Sequence, residues 1–342
     1  MEKSAADSSR QLFGNLPDGR PVYSYVLRNS NNFEMTVIEF GGIITKLITP
    51  AKKGRTDIVL GFDTIEDYLD SRNLPASPHF GAIIGRYSGR IKEGKFAIDG
   101  KQFQLNPNNN GNTLHGGNVG FDKILWTVKN VSWNEITLTY SSPDGDENFP
   151  GELTVEVTYS LSETNEITIT YSATSTEDTI INLTQHSYFN LDGQLGSVLN
   201  QELHINSDTI LEIDAVKIPS GKLEKAADKG FDFRTPRACP PLIDDSFVIE
   251  DTSAPAAILI SSSGGLRMTV YSDQPSLHIY IGGNLFGTLK GKDGTNYHPF
   301  SGICFESQNY PDAPNHAHFP NAILRKGEQY QQITKWKFDF PE

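Results

Sequence analysis

A single histidine, His186, lies in the polar run 182–190 (NLTQHSYFN), in which only Leu183 and Phe189 are purely apolar. The run combines this imidazole with amides, hydroxyls and a phenol. Histidine is the side chain most easily poised to give or accept a proton near neutral pH. The run is therefore a candidate for acid–base chemistry. The alternative is a half-buried histidine with a structural role, and this run alone does not decide between the two.

A second candidate for proton transfer is Glu306, in the segment 301–312 (SGICFESQNYPD). If this segment is a strand, its alternation places Ile303 and Phe305 on one face and Glu306 on the opposite face. A rigid strand is a good mount for a catalytic group. Glu306 then serves either as a general base or as a hydrogen-bonded structural acid.

Glycines and two arginines mark the segment 81–91 (GAIIGRYSGRI). It lacks the Lys-Ser or Lys-Thr ending of a phosphate loop, and no helical pattern follows it. Arg86 and Arg90 are instead candidates to donate hydrogen bonds to a polar ligand. The alternative is a pair of surface arginines.

Further candidates lie in two polar segments. His115 ends a loop rich in asparagine and precedes two glycines, which let a backbone approach a ligand closely. Asp244 and Asp245 stand just before an apolar run. His115 and His186 lack the tight spacing typical of metal ligands, so we expect no catalytic metal.

The segments that must position these candidate residues mostly show alternating apolar and polar residues, the pattern of β-strands. Residues 153–161 and 167–173 alternate on either side of a short polar link and predict an antiparallel hairpin. Asp99-Gly100 predicts the turn of another hairpin. Further strands are predicted at 35–38, 43–48, 136–140, 257–260, 266–270, 277–281 and near the C-terminus. Only 64–69 suggests a helical turn or two. The pattern predicts an all-β sandwich or barrel, and we expect one domain spanning residues 1–342.

Composition limits which classes of binding partner and which cellular compartment are expected. The chain has 342 residues and a net charge of −13, which disfavours nucleic acid and anionic membranes as partners. No apolar run has the length of a membrane span. Two cysteines cannot form a disulfide framework, and residues 1–10 have no apolar signal core. We therefore expect a cytoplasmic protein.

In their residues and their order along the chain, these segments resemble the aldose 1-epimerase, or galactose mutarotase, family over residues 13–340. The resemblance is carried by GR…RI at 85–91, NTLHGG at 112–117, NLTQHSYFNL at 182–191 and ESQNYPD at 306–312. It implies a large antiparallel β-sandwich with a sugar-binding cleft on one sheet, and neither a metal nor an organic cofactor.

The resemblance also implies roles for individual residues. His186 matches the family's general acid and Glu306 its general base, while Arg90, His115 and Asp244 match its sugar-binding residues. The expected reaction is interconversion of the α and β anomers of hexoses such as galactose and glucose, in galactose metabolism. The expected partner is a small aldose, and the expected assembly is a monomer or weak dimer.

Two more residues are candidates for contact with the sugar. Tyr188 could pack on the apolar face of the ring, and His278 stands where the family commonly has a binding glutamine. Gly89 and Asp245 also depart from the usual residues, which are asparagine and histidine. Changes at Gly89 and His278 could alter sugar preference.

Anomer exchange needs no redox chemistry, because one candidate can remove a proton from the sugar while the other adds one. Glu306 would take the proton of the O1 hydroxyl, while His186, as imidazolium, would protonate the ring oxygen, and a facing carboxylate would help keep His186 protonated. Three alternatives stay open: a non-catalytic sugar-binding protein, a glycosidase using Asp244 and Glu306, and a hexose-6-phosphate epimerase with Arg86 on the phosphate.

Overall fold

Antiparallel strands supply most of the regular structure, as the alternation in the sequence predicts. The computed structural model describes residues 10–51, 54–74, 77–283 and 290–341. The strands in these ranges are β1 (Arg10–Asn15), β2 (Pro21–Arg28), β3 (Glu34–Ile38), β4 (Ile44–Ala51), β5 (Gly54–Asp57), β6 (Ile83–Ile84), β7 (Arg90–Ile91), β8 (Lys95–Ile98), β9 (Lys101–Gln104), β10 (Thr113–Leu114), β11 (Thr127–Val131), β12 (Glu135–Ser142), β13 (Leu153–Leu161), β14 (Glu166–Ser175), β15 (Thr179–Ile180), β16 (Thr184–Gln185), β17 (Tyr188–Phe189), β18 (Glu202–Ile205), β19 (Thr209–Ile213), β20 (Pro219–Lys225), β21 (Arg237–Ala238), β22 (Asp244–Val248), β23 (Ala257–Ile260), β24 (Arg267–Ser272), β25 (Ser276–Ile281), β26 (Ile303–Gln308), β27 (Ile323–Leu324) and β28 (Gln329–Asp339).

Three sheets account for most of these strands. A five-stranded meander runs in the order β1-β2-β3-β4-β5. A nine-stranded sheet has the order β11-β12-β13-β14-β28-β24-β23-β18-β21, and a six-stranded sheet has the order β17-β26-β25-β22-β19-β20. Four two-stranded ladders (β6 with β16, β7 with β10, β8 with β9, β15 with β27) complete the set. The two larger sheets interleave strands that are distant in the sequence, and the single domain over 1–342 stays a prediction.

The main core lies between the nine-stranded and six-stranded sheets. It includes Val157 and Trp336 from the first sheet and Phe247 and Phe305 from the second. Trp336 packs edge-on against Phe189 of β17, with ring centroids 4.9 Å apart. Because alternate residues of a strand face opposite ways, one face of the six-stranded sheet is committed to this core. Its other face is left to form the floor of a cleft.

The hairpins and the strands predicted from alternation are confirmed. β13 pairs with β14 over nine residue pairs from Leu153↔Ser175 to Leu161↔Ile167, and β8 pairs with β9 around Asp99-Gly100. One α-helix is present in the described ranges, α1 (Ile65–Ser71), and Thr64 caps its N-terminus by accepting a hydrogen bond from the Asp67 amide. In the described part of the chain, no helix combines the length and the apolar character needed to cross a bilayer.

Arg86 is a structural residue, and the hypothesis that it contacts a ligand or phosphate is wrong. Its side chain is only 2% exposed, and it does not line the cleft described below. The guanidinium donates to the hydroxyl and carbonyl of Ser142 and to the carbonyls of Pro143, Pro150 and Gly151, at 2.7–3.3 Å. Arg86 thus ties the segment that carries Arg90 to the loop after β12. The planar fork of arginine suits this task because it supplies several donors in one plane.

We expect Arg86→Leu to lower the free energy of unfolding by about 3 kcal/mol or more, because several buried carbonyls lose their donor at about 1–3 kcal/mol each. Urea denaturation followed by fluorescence measures the change. Arg20→Leu is the matched control, since Arg20 is exposed and its side chain bonds only to Asp18 among the described contacts. An equally small effect in both variants would contradict the structural role of Arg86.

Candidate active site

A cleft of about 750 Å³ opens over the outward face of the six-stranded sheet. The seven residues predicted from the sequence all line it: Arg90, His115, His186, Tyr188, Asp244, His278 and Glu306. They come from separate parts of the chain, so the fold brings them together. Which of them act on a ligand, and how, stays a prediction.

Cross-strand pairing fixes two of these side chains, His278 and Glu306, on the floor of the cleft, together with Ser246. Ser246 on β22 lies opposite His278 on β25, and His278 lies opposite Glu306 on β26. Directly opposite residues of adjacent antiparallel strands project to the same face of a sheet. Glu306 therefore has a neighbour on a paired strand and a rigid backbone, as the reading of 301–312 as a strand predicts.

His186 stands between two very short strands, β16 and β17. β16 pairs with β6, and β17 pairs with the strand that carries Glu306. The backbone N–H of His186 donates to the Ala82 carbonyl at 2.9 Å, and its carbonyl accepts from the Gly81 N–H at 3.0 Å. These two backbone hydrogen bonds fix the position of the imidazole beside Glu306. They also satisfy backbone groups that would otherwise be buried without a partner.

The imidazole and the carboxylate face each other out of contact with water. His186 Nε2 lies 3.5 Å from Glu306 Oε1, and the two residues are only 4% and 2% exposed. The other imidazole nitrogen, Nδ1, lies 3.6 Å from the Cys304 sulfur. Glu306 Oε2 is buried and has no hydrogen-bond partner among the residues that the structure describes. A carboxylate oxygen without a partner is available to accept a proton from a bound hydroxyl.

Burial decides the charge of His186 more than its carboxylate neighbour does. Desolvation lowers the pKa of His186, and the negative charge of Glu306 offsets only part of that effect, so the pKa lies below its ordinary value. Glu306 does favour the protonated imidazole, as the sequence analysis expects, but burial outweighs it. The protonated form of His186 is therefore a stronger acid than an ordinary imidazolium.

His115 is held as a hydrogen-bond donor. Its Nδ1 accepts the Gly89 N–H at 3.3 Å, which leaves the proton of the neutral ring on Nε2. Burial lowers the pKa of His115 well below its usual value, and neighbouring His79 lowers it further. Gly116 follows at φ +87°, where a Cβ would lie 1.9 Å from the Gly85 carbonyl oxygen, so only glycine fits the turn.

Arg90 and Tyr188 border the cleft in different ways. Arg90 is half-buried on β7 and donates from Nε to Asn109 Oδ1 at 3.2 Å, which leaves its terminal nitrogens for other partners. Tyr188 is 1% exposed, and its ring lies 5.2 Å from that of His186 and packs edge-on against Phe80. Tyr188 is thus part of the floor beneath the acid–base pair.

A carboxylate with two cationic partners forms the opposite wall. Asp244 Oδ1 lies 3.0 Å from His278 Nε2, and Oδ2 lies 3.4 Å from Lys217 Nζ. His278 Nδ1 lies 2.9 Å from the Ser246 hydroxyl. Burial raises the pKa of Asp244, but the hydrogen bond and charge of His278 outweigh it and the pKa is lowered. The reverse holds for His278, whose pKa burial lowers and Asp244 raises to a net increase.

Three groups in the cleft could meet at one cation. The ligand atoms of His115, His186 and Glu306 all lie within 4.8 Å of one another. To bind a metal, however, His115 must give up either its bond from Gly89 at Nδ1 or its proton at Nε2. The hydrogen bond from Gly89 therefore favours His115 as a proton donor over His115 as a metal ligand.

The structure adds three residues that the sequence analysis did not single out, His79, Asp122 and Lys217. His79 lines the cleft next to His115 and His186, and its Nδ1 lies 2.9 Å from Asp122 Oδ2. Neither residue lies in a long polar run, and 43 positions separate them, so only the fold reveals the pair. Lys217 likewise has no sequence signal, because only the fold brings it to Asp244.

Comparison with known proteins agrees with this geometry. The family model described as aldose 1-epimerase matches residues 23–337. The galactose mutarotase of Homo sapiens is 39% identical, over 97% of this chain and 99% of its own length. The aldose 1-epimerase of Escherichia coli (strain K12) is 34% identical, over 94% and 96%.

Solved structures show the same fold. An aldose epimerase homologue from C. elegans superposes with a TM-score of 0.86 at 30% identity, covering 93% of this chain and 100% of that one. The galactose 1-epimerase from Lactobacillus acidophilus gives 0.85 at 25% identity, covering 97% and 98%. The large antiparallel sandwich predicted from the sequence is confirmed, and on sequence and fold together this chain belongs to the aldose 1-epimerase family.

Proposed function

We propose that this chain is an isomerase that interconverts the α and β anomers of hexoses such as galactose and glucose. The observation that carries the proposal is the buried pair of His186 and Glu306, with 3.5 Å between Nε2 and Oε1, on the floor of a polar cleft. Family membership over nearly the whole chain supports the same reaction.

Ring opening needs one proton removed and one proton added. Glu306 Oε2, which has no hydrogen-bond partner in the described part of the chain, accepts the proton of the anomeric O1 hydroxyl. The O1 lone pair forms the carbonyl as the C1–O5 bond breaks. The electron pair of that bond goes to O5, which takes a proton from His186. The open aldehyde then turns about the C1–C2 bond.

Ring closure on the other face reverses the roles. O5 attacks C1 and loses its proton to neutral His186, while the carbonyl oxygen takes a proton from protonated Glu306. Both groups return to their starting states, so no redox partner and no cofactor are required. O1 and O5 are bonded to the same carbon, which is why an acid and a base so close together can serve both.

The remaining polar groups of the cleft hold the sugar. Asp244 accepts hydrogen bonds from ring hydroxyls, and its two cationic neighbours keep it ionised and in place. His115 and Arg90 donate from the opposite side. Tyr188 supplies an apolar surface next to His186, and His278 completes the wall beside Asp244.

The alternative reactions fit less well. A glycosidase needs one carboxyl that stays protonated as the general acid, but the pKa of Asp244 is lowered. A phosphate contact at Arg86 has no support because its guanidinium is bonded to backbone carbonyls and Ser142. A purely sugar-binding role leaves the facing acid and base without a purpose.

The expected setting is the cytoplasm, with a small aldose as partner and a monomer or weak dimer as the assembly. Both cysteines, Cys239 and Cys304, are buried free thiols. Free thiols are typical of proteins in reducing compartments. The net charge of −13 disfavours nucleic acid as a partner.

We expect Glu306→Gln and His186→Gln each to lower kcat for α-galactose by about 10²–10⁴-fold, because each removes one proton-transfer group. Polarimetry of freshly dissolved α-galactose measures the rate, and thermal unfolding checks the fold. Glu202→Gln, the same change at an exposed site on β18, is the control. Near wild-type rates in both active-site variants would refute the assignment.

The lowered pKa of His186 predicts where activity fails on the alkaline side. His186 must be protonated to act as an acid, so kcat/KM should fall about tenfold per pH unit above an apparent pKa below about 6.5. Polarimetric rates between pH 4.5 and 8.5, corrected for spontaneous mutarotation, test this. A flat profile up to pH 8 would show that protonated His186 is not the donor.

Asp244→Asn should mainly weaken sugar binding. Hydrogen bonds to a charged group contribute about 1.5–3 kcal/mol, so we expect KM for galactose to rise about 10–100-fold while kcat changes far less. Steady-state polarimetry separates the two constants, and exposed Asp251→Asn is the control. A loss confined to kcat would place Asp244 in the proton transfer instead.

A further inference from the structure

Three imidazoles meet at one end of the cleft. The ring of His79 lies 5.2 Å from that of His115 and 5.7 Å from that of His186, and His115 and His186 are 5.5 Å apart. Two of these rings already have roles in the proposed reaction. The third ring, His79, faces both of them, and the reaction as derived above does not use it.

An ion-pairing carboxylate fixes the orientation of His79. Asp122 Oδ2 lies 2.9 Å from His79 Nδ1, and the Asp122 side chain is only 4% exposed. Burial alone raises the pKa of Asp122, but the charge and hydrogen bond of His79 lower it to a net decrease. A carboxylate in this position accepts the Nδ1–H of the imidazole and fixes the direction of the ring.

Resting on the proposed function, we propose that His79, held by Asp122, is a positioning residue that presents positive charge to His186 and thereby sets the pH range over which His186 protonates the sugar ring. The effect acts through space, because the ring centroids of His79 and His186 are 5.7 Å apart. His79 itself transfers no proton in the reaction.

The charge around His186 comes from several elements. The titratable groups that face it are Glu306 and Cys304 on β26, His278 on β25, Tyr188 on β17, and the loop residues His79 and His115. The charged groups around the His79 pair are Asp122, Lys123 and Arg72. Glu306 raises the pKa of His186, whereas His79 and His278 lower it.

A stronger acid has a chemical advantage at this site. The ring oxygen of a sugar is a weak base, so a donor of lower pKa protonates it more readily, at the cost of being protonated less often near neutrality. His79 shifts this balance toward the stronger donor. Without it, His186 should hold its proton to higher pH and donate it less readily.

The test replaces His79 with asparagine, which tolerates the backbone φ of +52° at this position and keeps an amide able to bond to Asp122. We expect the titration midpoint of His186, followed by NMR of its ring carbon-bound protons, to rise by about 0.5 pH unit or more. A unit charge about 6 Å away gives a shift of that size even at the dielectric constant of water. His186→Gln assigns the signal.

Activity provides the second measurement. In His79→Asn the alkaline limb of kcat/KM against pH should move upward by the same amount as the NMR midpoint. His79→Gln is a second variant with a longer amide. An upward shift of the alkaline limb in either folded variant supports the role of His79. His318→Asn, an exposed histidine that bonds to the Gly221 carbonyl, is the matched control and should leave both measurements unchanged.

Each outcome separates the inference from the proposed function. An unchanged His186 midpoint in folded His79 variants would overturn the inference, as would a uniform loss of kcat with no shift of the alkaline limb. A wild-type protein that does not accelerate mutarotation would overturn the proposed function. The NMR midpoint would still report in that case whether His79 acts on His186.

Discussion

The removal of water from His186 and Glu306 is the constraint on which the rest of the site depends. An imidazole and a carboxylate at 4% and 2% exposure pay a desolvation cost that only nearby charges and hydrogen bonds offset. The short contact between the two is part of that compensation. In the same environment hydrogen bonds to a sugar are strong, because no water competes for them. Burial of the pair therefore lowers the stability of the folded protein, and it strengthens the hydrogen bonds that the pair can form.

The surrounding structure holds this buried pair without relying on flexible loops. Glu306 lies within a six-residue strand paired on both sides, and His186 is bonded through its backbone to Gly81 and Ala82. Arg86, a few residues farther on, fastens the same segment to the nine-stranded sheet. Glu306 comes from a strand and His186 from the link between β16 and β17, while His115 and the His79–Asp122 pair lie in connections between strands. Strand pairing and backbone hydrogen bonds thus hold both members of the buried pair in place.

Much of the fold and the principal residues could be predicted from the sequence. Alternation identified β13, β14 and β28 because each buries one face, and the motif around His186 made that residue a candidate acid through its resemblance to a family. Arg86 could not be interpreted correctly because the carbonyls that surround it belong to loops some 56 to 65 residues away. The net lowering of the His186 pKa was not foreseen, because a sequence reveals a neighbouring carboxylate more easily than it reveals burial. His79 and Asp122 carry no local signal at all.

Ser246, His278 and Glu306 lie side by side across three neighbouring strands, and this has a consequence for how the site can change over time. The side-chain period of a strand is two, so a one-residue slip of any of these strands would turn its contribution from the cleft into the core. Single substitutions leave the register intact, whereas single-residue insertions and deletions within β22, β25 or β26 do not. Exchanges of one side chain for another at these three positions therefore change the cleft without disturbing the sheet. Length variation is left to the connections between the strands.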